Sequence, residues 1–374
     1  EKIERELMKI LYDHQIFTQQ QYGGISRYFF ELIKRYDGID NSCDVATIFS
    51  DNAYYNKDVN PYLKPFFPNS KFRGKQRIVT YLNSRKSLNI IQKEGYDVFH
   101  PTYYNDYFLD KIKRKPFVVT FYDMIHEKFS NQFEDLGLDT KIYDNKKRLL
   151  EHSSKIIAIS ETTKNDIMEF FDVDASKIDV VYLGNSLQNF DIGHRPLVED
   201  DYVLFVGNRG LYKNFDFFIT AIASLLINSN LKLICAGGGD FTPQEVMLIQ
   251  SLKLENCVVF KKISNDDVLA NYYANALFFC FPSLYEGFGI PVLESFACGC
   301  PTLLSNGGSL PEIGGDAALY FDPIDGESLR KAMEELINNN VLRLKLKEKG
   351  FERLKQFSWD TTFLETLEVY KSVI

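Results

Sequence analysis

The sequence lacks any apolar run approaching the roughly 20 residues that a membrane-spanning helix needs, and no segment looks like a signal peptide. Its six cysteines are thinly spread, and Cys298 and Cys300 form a Cys-Gly-Cys with no second pair nearby. That pattern is neither a zinc spacing nor a disulfide framework. We therefore expect reduced thiols in the core and a cytoplasmic protein, soluble or peripheral on the inner face of the membrane.

The sequence also has fewer basic residues than acidic residues. The 374 residues carry a formal net charge of −8, which argues against a general nucleic-acid binder. A hydrophobic content of 45% excludes a mainly disordered chain. Because 374 residues exceed what one hydrophobic core usually fills, the length predicts two domains.

Short apolar segments typical of strands alternate with segments of helical periodicity along the chain. Met8 opens the first of them, MKILYDHQIF, and residues 1–7 are expected to be either a short extension or residues of foreign origin. A later helix, ISETTKNDIMEFF, is expected to begin at Ser160, with Thr162 or Thr163 as alternative caps. Strands separated by helices predict parallel sheets with crossover helices.

A polar stretch at residues 186–201 interrupts this alternation, which restarts at Tyr202. We predict an α/β fold of two doubly wound, Rossmann-like domains that are joined near residue 190 and face each other across a cleft. In such folds ligands bind at the carboxyl ends of the strands, so the chemistry is expected in the loops that follow strands.

The segment SLYEGFGIPVLESFACGCP, residues 283–301, places two carboxylates around a small glycine loop. Gly287 and Gly289 allow a ligand to approach the backbone closely, where free N–H groups of the following helix suit a phosphate or sugar oxygens. Glu294, expected in the first turn of that helix, can accept two hydrogen bonds from a vicinal diol such as a ribose. The alternative is that Glu286 is a capping acid and Glu294 a solvated helix acid.

Two further loops carry candidate ligand groups. The loop VGNRGLYKN, residues 206–214, contains Arg209 and Lys213, and a guanidinium fork beside an ammonium group suits a diphosphate. The alternative is a pair of solvated surface cations. The segment AGGGD, residues 236–240, either allows close ligand approach at Gly238 or is only a turn.

In this order and spacing, these segments resemble the retaining glycosyltransferases of family 4. EGFGIPVLE resembles the family's signature of two glutamates separated by seven residues, and VGNRGLYKN resembles its donor-phosphate loop. YGGISRY is similar to the family's first glycine-rich loop, SNGGSLPEIGGDAALYFDP to the segment after the signature, and FSWDTTFLETLEVY to its closing helix. The resemblance extends over nearly the whole chain.

The resemblance implies a GT-B type enzyme, with an acceptor-side domain at residues 1–190 and a nucleotide-sugar-binding domain at residues 200–356. A C-terminal helix within residues 357–374 would pack back on the first domain. Such an enzyme is a retaining hexosyltransferase that moves a sugar from a nucleotide-diphosphate sugar to a glycan or lipid-linked acceptor. The expected role is in bacterial surface polysaccharide or glycolipid synthesis, with no metal ion and no cofactor.

The resemblance also implies roles for individual residues. Glu294 would bind the ribose hydroxyls, and Glu286 would contact the donor sugar. Arg209 and Lys213 would neutralise the leaving diphosphate in place of a metal ion, and the acceptor would attack from the front face with retention. Backbone groups would complete the donor site at Gly287, Phe288 and Gly289 in the second half and at Gly23 and Gly24 in the first.

One position departs from the family pattern. Where many relatives carry a histidine after the strand PFVVTF, this sequence has Tyr122, followed by Asp123. Either of these takes over the polar contact to the sugar, or His126 reaches back to it. The alternative for His126 is an ordinary loop histidine. His100, at the end of another predicted strand, is a further acceptor-side candidate.

Residues 59–93 contain eight Lys or Arg and no acid. This composition suits an anionic membrane surface or a lipid-linked diphosphate acceptor. Single-stranded nucleic acid fits it less well in an acidic protein, and no nucleic-acid partner is expected. The alternative is a solvated helix pair with buried aromatic side chains. The interleaved aromatic residues are Tyr62, Phe66, Phe67, Phe72 and Tyr81.

Two other functions compete with glycosyl transfer. A phosphorylase or sugar-nucleotide epimerase of the same architecture would need a free-phosphate pocket or a pyridoxal lysine, and the sequence supports neither. A catalytically silent nucleotide-sugar-binding protein gains weight from the missing histidine. It loses weight because Glu286, Glu294, Arg209 and Lys213 are all present. We therefore predict a glycosyltransferase.

Overall fold

The computed structural model describes residues 7–67, 70, 72–130, 140–187 and 196–374. The chain divides into two compact units. The first unit combines Glu1–Leu183 with Trp359–Ile374, and the second unit is Gly184–Ser358. Parallel strands alternate with helices in both units, so the predicted α/β fold with two Rossmann-like halves is confirmed. Among the described helices, none combines the length and the apolar character that crossing a bilayer requires.

Parallel strands form the centre of the first unit. The central strand β1 pairs with β2 and β3, β5 pairs with β4 and β6, and a single parallel bridge between Phe99 and Phe117 links the two groups. The strands therefore follow the order β2-β1-β3-β4-β5-β6. These strands are β1 (Lys9–Asp13), β2 (Ser42–Ala46), β3 (Val98–His100), β4 (Val118–Phe121), β5 (Lys155–Ala158) and β6 (Ile178–Val180).

The described helices of the first unit follow the predicted periodicity. Tyr28, Phe29 and Leu32 of α2 are buried, as one apolar helical face requires. Ser160 is the N-cap of α6, where its side chain accepts a hydrogen bond from the backbone N–H of Thr163, so the predicted cap is confirmed. The helices are α1 (Gln15–Gln19), α2 (Gly24–Ile33), α3 (Lys75–Ile91), α4 (Ile125–Phe129), α5 (Thr140–His152) and α6 (Glu161–Phe170).

The second unit contains one parallel sheet in the order β12-β11-β10-β7-β8-β9. The strands β10 and β11 are buried along their whole length, which is typical of a parallel sheet covered by helices on both faces. The strands are β7 (Tyr202–Val206), β8 (Lys232–Ala236), β9 (Val258–Lys261), β10 (Phe278–Phe281), β11 (Thr302–Ser305) and β12 (Leu319–Phe321). The helices are α7 (Phe215–Asn228), α8 (Pro243–Ser251), α9 (Asp266–Asn275), α10 (Ile290–Ala297), α11 (Leu310–Gly314), α12 (Gly326–Asn338) and α13 (Asn340–Leu354).

The last helix, α14 (Trp359–Lys371), belongs to the first unit, although the whole second unit precedes it in the chain. The Tyr370 hydroxyl shares hydrogen bonds with Nδ1 of His100 at 2.5 Å and with the Tyr12 hydroxyl at 3.1 Å. The other ring nitrogen of His100 lies 3.0 Å from Oγ1 of Thr120. This buried network joins α14 to β1, β3 and β4.

His100 is therefore a structural residue and not an acceptor-side group, which corrects the expectation for it. Both of its ring nitrogens are used inside the first unit, and the side chain is fully buried. Burial lowers the pKa of His100 to about 3, because a charged imidazolium loses its hydration there.

This shift predicts a pH dependence for the stability of the first unit. The folded pKa lies below the unfolded value of about 6.5, so stability is present above that value and is lost as the pH falls toward 3. Between pH 7.5 and 5.5 the wild type should lose about 1.4 kcal/mol more than His100→Gln. Urea unfolding followed by the fluorescence of Trp359, the single tryptophan, reports the first unit.

The exposed His152 is the matched control, and His152→Gln should keep the wild-type pH dependence. Burial also lowers the pKa of His14, but this contribution is common to all three proteins. An equal pH dependence in wild type and His100→Gln would show that the buried imidazole is not the titrating group.

Candidate functional site

The order of the strands in the second unit creates a crevice between β7 and β10. From β7 the sheet continues through β8 to β9 on one side and through β10 and β11 to β12 on the other. At such a switch point the loops that follow the two adjacent strands lead to opposite faces of the sheet and leave a gap at the carboxyl ends. The loops at this gap are residues 207–214 and 282–289, which carry most of the predicted donor-site residues.

Lys213 and Glu286 meet at this crevice. Nζ of Lys213 lies 2.6 Å from Oε1 of Glu286, and the two side chains are 17% and 10% exposed. The backbone N–H of Leu284 donates to the carbonyl oxygen of Tyr212 at 2.7 Å, which ties the two loops together next to the ion pair. Two motifs that are distant in the sequence therefore place a cation and a carboxylate at one point that remains accessible to solvent.

The loop after β11 holds the backbone of Glu286 in place. The backbone N–H and the hydroxyl of Ser309 both lie 3.0 Å from the carbonyl oxygen of Glu286. A Cβ on Gly308 would lie 2.5 Å from that same oxygen, and one on Gly307 would lie 2.2 Å from the Leu284 carbonyl oxygen. Sequence reasoning missed Ser309; the Gly-Gly pair that precedes it was the available signal for a close approach of backbones.

Glu294 is the fifth residue of α10 and therefore lies in its second turn, not in the first turn as expected. Its residue exposure is 7%, and its Oε2 accepts a hydrogen bond of 3.2 Å from the hydroxyl of Tyr273. Burial, followed by the nearby carboxylate, raises the pKa of Tyr273 well above its usual value. Because both Glu286 and Glu294 are buried, the alternative of a solvated helix acid does not fit Glu294.

The backbone between the two glutamates is shaped by local packing. Gly289 has a φ of 99°, and a Cβ there would lie 2.9 Å from Cδ2 of Leu310. The side chain of Phe288 is buried, with its ring centroid 6.0 Å from that of Phe357. Gly287 is likewise buried. The contact at Gly289 alone therefore requires a glycine there, whether or not a ligand binds.

Arg209 does not face an open anion site, which corrects the expectation for this residue. Its Nε donates to Oε1 of Glu245 at 2.8 Å, and its side chain is only 2% exposed. Its terminal nitrogens donate to three carbonyl oxygens at 2.9–3.2 Å. The buried guanidinium group thus holds the turn after β8 by hydrogen bonds to its backbone. These three carbonyl groups belong to Gly237, Gly239 and Asp240.

Glu245 is a site residue that sequence reasoning missed. Thr242 and Glu245 form a capping box at the start of α8, a pattern that the sequence TPQE makes visible. The same carboxylate also pairs with Arg209, 36 residues earlier in the chain. No local pattern predicts that second contact, because it depends on the pairing of β7 with β8.

Gly238 is required by a backbone contact within the protein. It has a φ of 75°, and a Cβ there would lie 2.3 Å from the carbonyl oxygen of Gly207. The turn after β8 therefore packs directly against the loop after β7. The sequence left two alternatives for this segment, close approach of a ligand or only a turn, and this contact agrees with the turn.

The first-unit candidates occupy two places. Gly23 caps the start of α2 in an extended conformation, with a φ of 168°, and Gly24 is the first residue of that helix. Tyr122 follows β4 and is buried, with its backbone N–H donating to the hydroxyl of Tyr104 at 2.9 Å. The side chain of Tyr122 is thus as buried as those of Glu286 and Glu294, and its predicted contact with the sugar remains a prediction.

Asp123 and His126 lie in the connection from β4 to α4. Oδ1 of Asp123 accepts a hydrogen bond from the backbone N–H of Ile125, and His126 is the second residue of α4. Both side chains are partly exposed. Of the four acceptor-side candidates, these two retain access to solvent, so their predicted contact with a sugar remains a prediction.

A buried ion pair supports this connection. Nζ of Lys146 lies 2.9 Å from Oε2 of Glu127, and the two side chains are 1% and 2% exposed. Nζ also lies 3.3 Å from the carbonyl oxygen of Asp123. Sequence reasoning missed this pair, because a lysine within a polar helix usually indicates a solvated face. In the described part of the chain, no group of three or more His, Cys, Asp or Glu is arranged to hold a metal ion.

Comparison with known proteins places this geometry in a family. A family model described as "Glycosyltransferase Family 4" matches residues 22–188, and one described as "Glycosyl transferases group 1" matches residues 190–353. The fold is that of the GT-B glycosyltransferases, since a sucrose-phosphate synthase from Thermosynechococcus elongatus superimposes with a TM-score of 0.77 at 19% identity, covering 98% of each chain. The chain belongs to the family 4 type of glycosyltransferases that these two models describe.

Two further proteins are similar over most of their length. The O-antigen chain mannosyltransferase B of Escherichia coli is 25% identical in an alignment of 380 positions that covers 93% of this chain and 96% of that protein. The structure of Anabaena HepE in complex with UDP-glucose superimposes with a TM-score of 0.73 at 18% identity, covering 98% of this chain and all of the other. The two family models identify the protein as a glycosyltransferase.

The contact at Gly238 predicts a difference between two neighbouring alanine substitutions. Gly239 also has a positive φ, 82°, but a Cβ there would meet nothing within 4 Å. Gly239→Ala should lower the free energy of unfolding by about 1–2 kcal/mol, the cost of a left-handed conformation. Gly238→Ala should lower it by at least about twice as much, because the backbone of Gly207 must also move.

Thermal unfolding measures both effects, and about 1 kcal/mol corresponds to roughly 2–4 °C in a unit of this size. Equal melting temperatures for Gly238→Ala and Gly239→Ala would show that the loop after β7 relaxes without cost.

Proposed function

We propose that the protein is a retaining glycosyltransferase that moves a sugar from a nucleotide-diphosphate sugar to a hydroxyl group of a glycan or a lipid-linked acceptor. The contact between Lys213 and Glu286 carries this proposal. It brings the cation expected at a leaving diphosphate within 2.6 Å of the carboxylate expected at the donor sugar. The crevice between β7 and β10 is where an open α/β sheet binds its ligand.

The similar proteins support the class of donor and product. HepE of Anabaena is described in complex with UDP-glucose, which supports a nucleotide sugar as the donor here. The E. coli relative is named an O-antigen chain mannosyltransferase, which supports a surface polysaccharide or glycolipid as the product. A catalytically silent binding protein is not favoured, although the missing histidine fits it, since Lys213, Glu286 and Glu294 are all present.

In the proposed reaction, the bond between the anomeric carbon and the diphosphate oxygen breaks. The acceptor oxygen forms its bond to that carbon on the same face, and the acceptor proton passes to the departing phosphate oxygen. Lys213 carries the compensating positive charge in place of a metal ion, because a positioned cation stabilises the charge that develops on the leaving group. The anomeric configuration of the first product, read by proton NMR, distinguishes retention from inversion.

Arg209 contributes to this reaction indirectly. It holds the turn at Gly237–Gly239 through Glu245 and the three carbonyl oxygens. That turn packs against the loop that leads to Lys213. We therefore propose that Arg209 positions the loop that leads to Lys213, and that Lys213 is the cation at the leaving group.

Nucleotide binding tests the donor site directly. UDP, GDP, ADP and CDP are added separately without metal, and thermal unfolding is compared with the nucleotide-free protein. A nucleotide present at 100 times its dissociation constant stabilises the folded protein by about 2.7 kcal/mol. One of the four should raise the melting temperature. Glu294→Gln should reduce that shift, since a neutral amide accepts weaker hydrogen bonds from ribose hydroxyls.

Glu334→Gln is the matched control, since Glu334 is an exposed acid on α12 of the same unit. It should show the full nucleotide shift. If none of the four nucleotides raises the melting temperature, the donor class is wrong. If Glu294→Gln and Glu334→Gln respond equally, the ribose role of Glu294 is wrong.

Residues 59–93 are proposed to contact an anionic membrane. Their only described helix is α3, so the expected helix pair is not found in the described part of this segment. The alternative of buried aromatic side chains is also overturned, since Tyr62 is 88% exposed and Phe67 is 60% exposed. Phe72 and Tyr81 are exposed as well. Exposed aromatic rings among basic side chains suit the interface of an anionic bilayer.

Vesicle binding tests this contact. The protein should sediment with phosphatidylglycerol vesicles at low salt and not with phosphatidylcholine vesicles. The bound fraction should fall at 0.5 M salt, because screening shortens the range of the attraction to a few ångströms. Replacing two exposed rings, in Tyr62→Ser with Phe67→Ser, should weaken the binding about tenfold or more, since about 1.4 kcal/mol of lost burial is enough.

The control replaces two exposed apolar side chains of α13 in the second unit, in Val341→Ser with Leu344→Ser. That double variant should bind vesicles like the wild type. Absence of binding to anionic vesicles at low salt would reject the membrane contact, while leaving the nucleotide result unaffected.

A further inference from the structure

The ion pair between Lys213 and Glu286 differs from two buried ion pairs of this protein in what else holds its cation. Arg209 also donates to three backbone carbonyl oxygens, and Nζ of Lys146 also lies 3.3 Å from the carbonyl oxygen of Asp123. The other described contacts of the Lys213 ammonium group are the faces of two aromatic rings. The first two cations are therefore fixed by the backbone, whereas Lys213 depends on a single carboxylate.

The two aromatic rings keep the ammonium group at the crevice. Nζ of Lys213 lies 5.0 Å from the ring centroid of Tyr212 and 5.1 Å from that of Phe281. The face of an aromatic ring attracts a cation but carries no net charge. The rings therefore hold the ammonium group whichever anion it binds, and the Glu286 carboxylate can be exchanged for a second anion while Lys213 stays in place.

Such an exchange requires no movement of the backbone at Glu286. The backbone N–H and the hydroxyl of Ser309 hold its carbonyl oxygen, and a Cβ on Gly308 would lie 2.5 Å from that oxygen. The side chains of Lys213 and Glu286 are 17% and 10% exposed, so both reach the solvent of the crevice. Rotation of the Glu286 side chain alone can open the pair.

A diphosphate and the Glu286 carboxylate compete for the same cation. Two anions beside one ammonium group repel each other, and the 2.6 Å contact places the carboxylate on the ammonium group before any ligand binds. In the proposed donor complex, sugar hydroxyl groups donate to this carboxylate, and Lys213 meets the diphosphate. Once the sugar has been transferred, the carboxylate loses those hydrogen bonds and its attraction to Lys213 returns.

We propose that the pair of Lys213 and Glu286 re-forms after transfer and thereby expels the nucleoside diphosphate. The inference rests on the proposed function and adds a second role for Glu286 at the same site. The carboxylate favours the nucleotide sugar, whose hydroxyl groups occupy it, over the nucleoside diphosphate that the reaction leaves behind. Glu286 is thus a residue that discriminates the donor from the product.

Isothermal titration calorimetry of the whole chain tests this competition, with UDP, GDP, ADP, CDP and inorganic pyrophosphate as separate titrants without metal. The nucleotide that binds the wild type should bind Glu286→Gln about tenfold more tightly, because the neutral amide no longer compensates the charge of Lys213. Pyrophosphate should also bind this variant more tightly, since it carries the diphosphate without the nucleoside. Loss of an ordinary donor contact would change both affinities in the opposite direction.

Asp216→Asn is the matched control, since Asp216 is an exposed acid in the first turn of α7, close in sequence to Lys213. Its affinity for the nucleotide should change by less than about twofold, because an exposed charge contributes little. The double variant of Lys213→Gln with Glu286→Gln should bind no more tightly than Lys213→Gln alone. A gain that persists without Lys213 would reflect the general loss of negative charge and would overturn the proposal.

The ligand-free melting temperature of each variant shows whether it is folded, and Glu286→Ala, a second variant without the carboxylate, should show the same gain. Equal or weaker binding by both Glu286 variants would overturn the proposal, since the carboxylate would then hold Lys213 in place for the diphosphate. That result leaves the proposed function standing, because the wild type still binds a nucleotide. If no nucleotide binds to the wild type or to the variants, the proposed function fails as well.

Discussion

The position of Glu286 depends on a contact between backbones that leaves no room for a side chain. The loop after β11 lies against the loop after β10 at Gly307 and Gly308, where any Cβ would come within 2.5 Å of a carbonyl oxygen. This approach lets Ser309 reach the carbonyl oxygen of Glu286. The Glu286 carboxylate is thereby free to meet Lys213, which comes from the opposite wall of the crevice.

Each unit uses a buried ion pair to hold a loop at the carboxyl end of a strand. In the second unit, Arg209 and Glu245 hold the turn after β8, and in the first, Lys146 and Glu127 hold the connection after β4. Such pairs add little net stability, because desolvation offsets most of the attraction. Loss of one partner is costly, however, since the other charge remains buried. Their effect here is to restrict each loop to one conformation.

The order of elements and the placement of the candidate donor-site residues in loops after strands could be predicted from the sequence, because both depend on local patterns. Alternating apolar segments indicate strands, a serine indicates a cap, and glycines beside a glutamate indicate a close-packed loop. The direction of Arg209 could not be predicted, since Glu245 becomes its neighbour only through the pairing of β7 with β8. The burial of Tyr122 and His100 could not be predicted either, because both follow strands in the same way as exposed site residues do.

The aromatic residues in 59–93 are a case in which the sequence left two alternatives open. Their composition predicted either burial or contact with a membrane, and only tertiary packing decides between the two. The rings of Tyr62 and Phe67 are largely exposed.

Because α14 belongs to the first unit, it affects the order in which the two units can fold during synthesis on the ribosome. The first unit contains both Tyr12 and Tyr370, and their hydroxyl groups share a buried hydrogen bond. The intervening second unit forms its sheet entirely from residues that are translated earlier than α14. Domains generally fold as units during synthesis, the earlier one first. Here the order is reversed: the unit that emerges first must wait, with an incomplete core, until the unit inserted within it has been made.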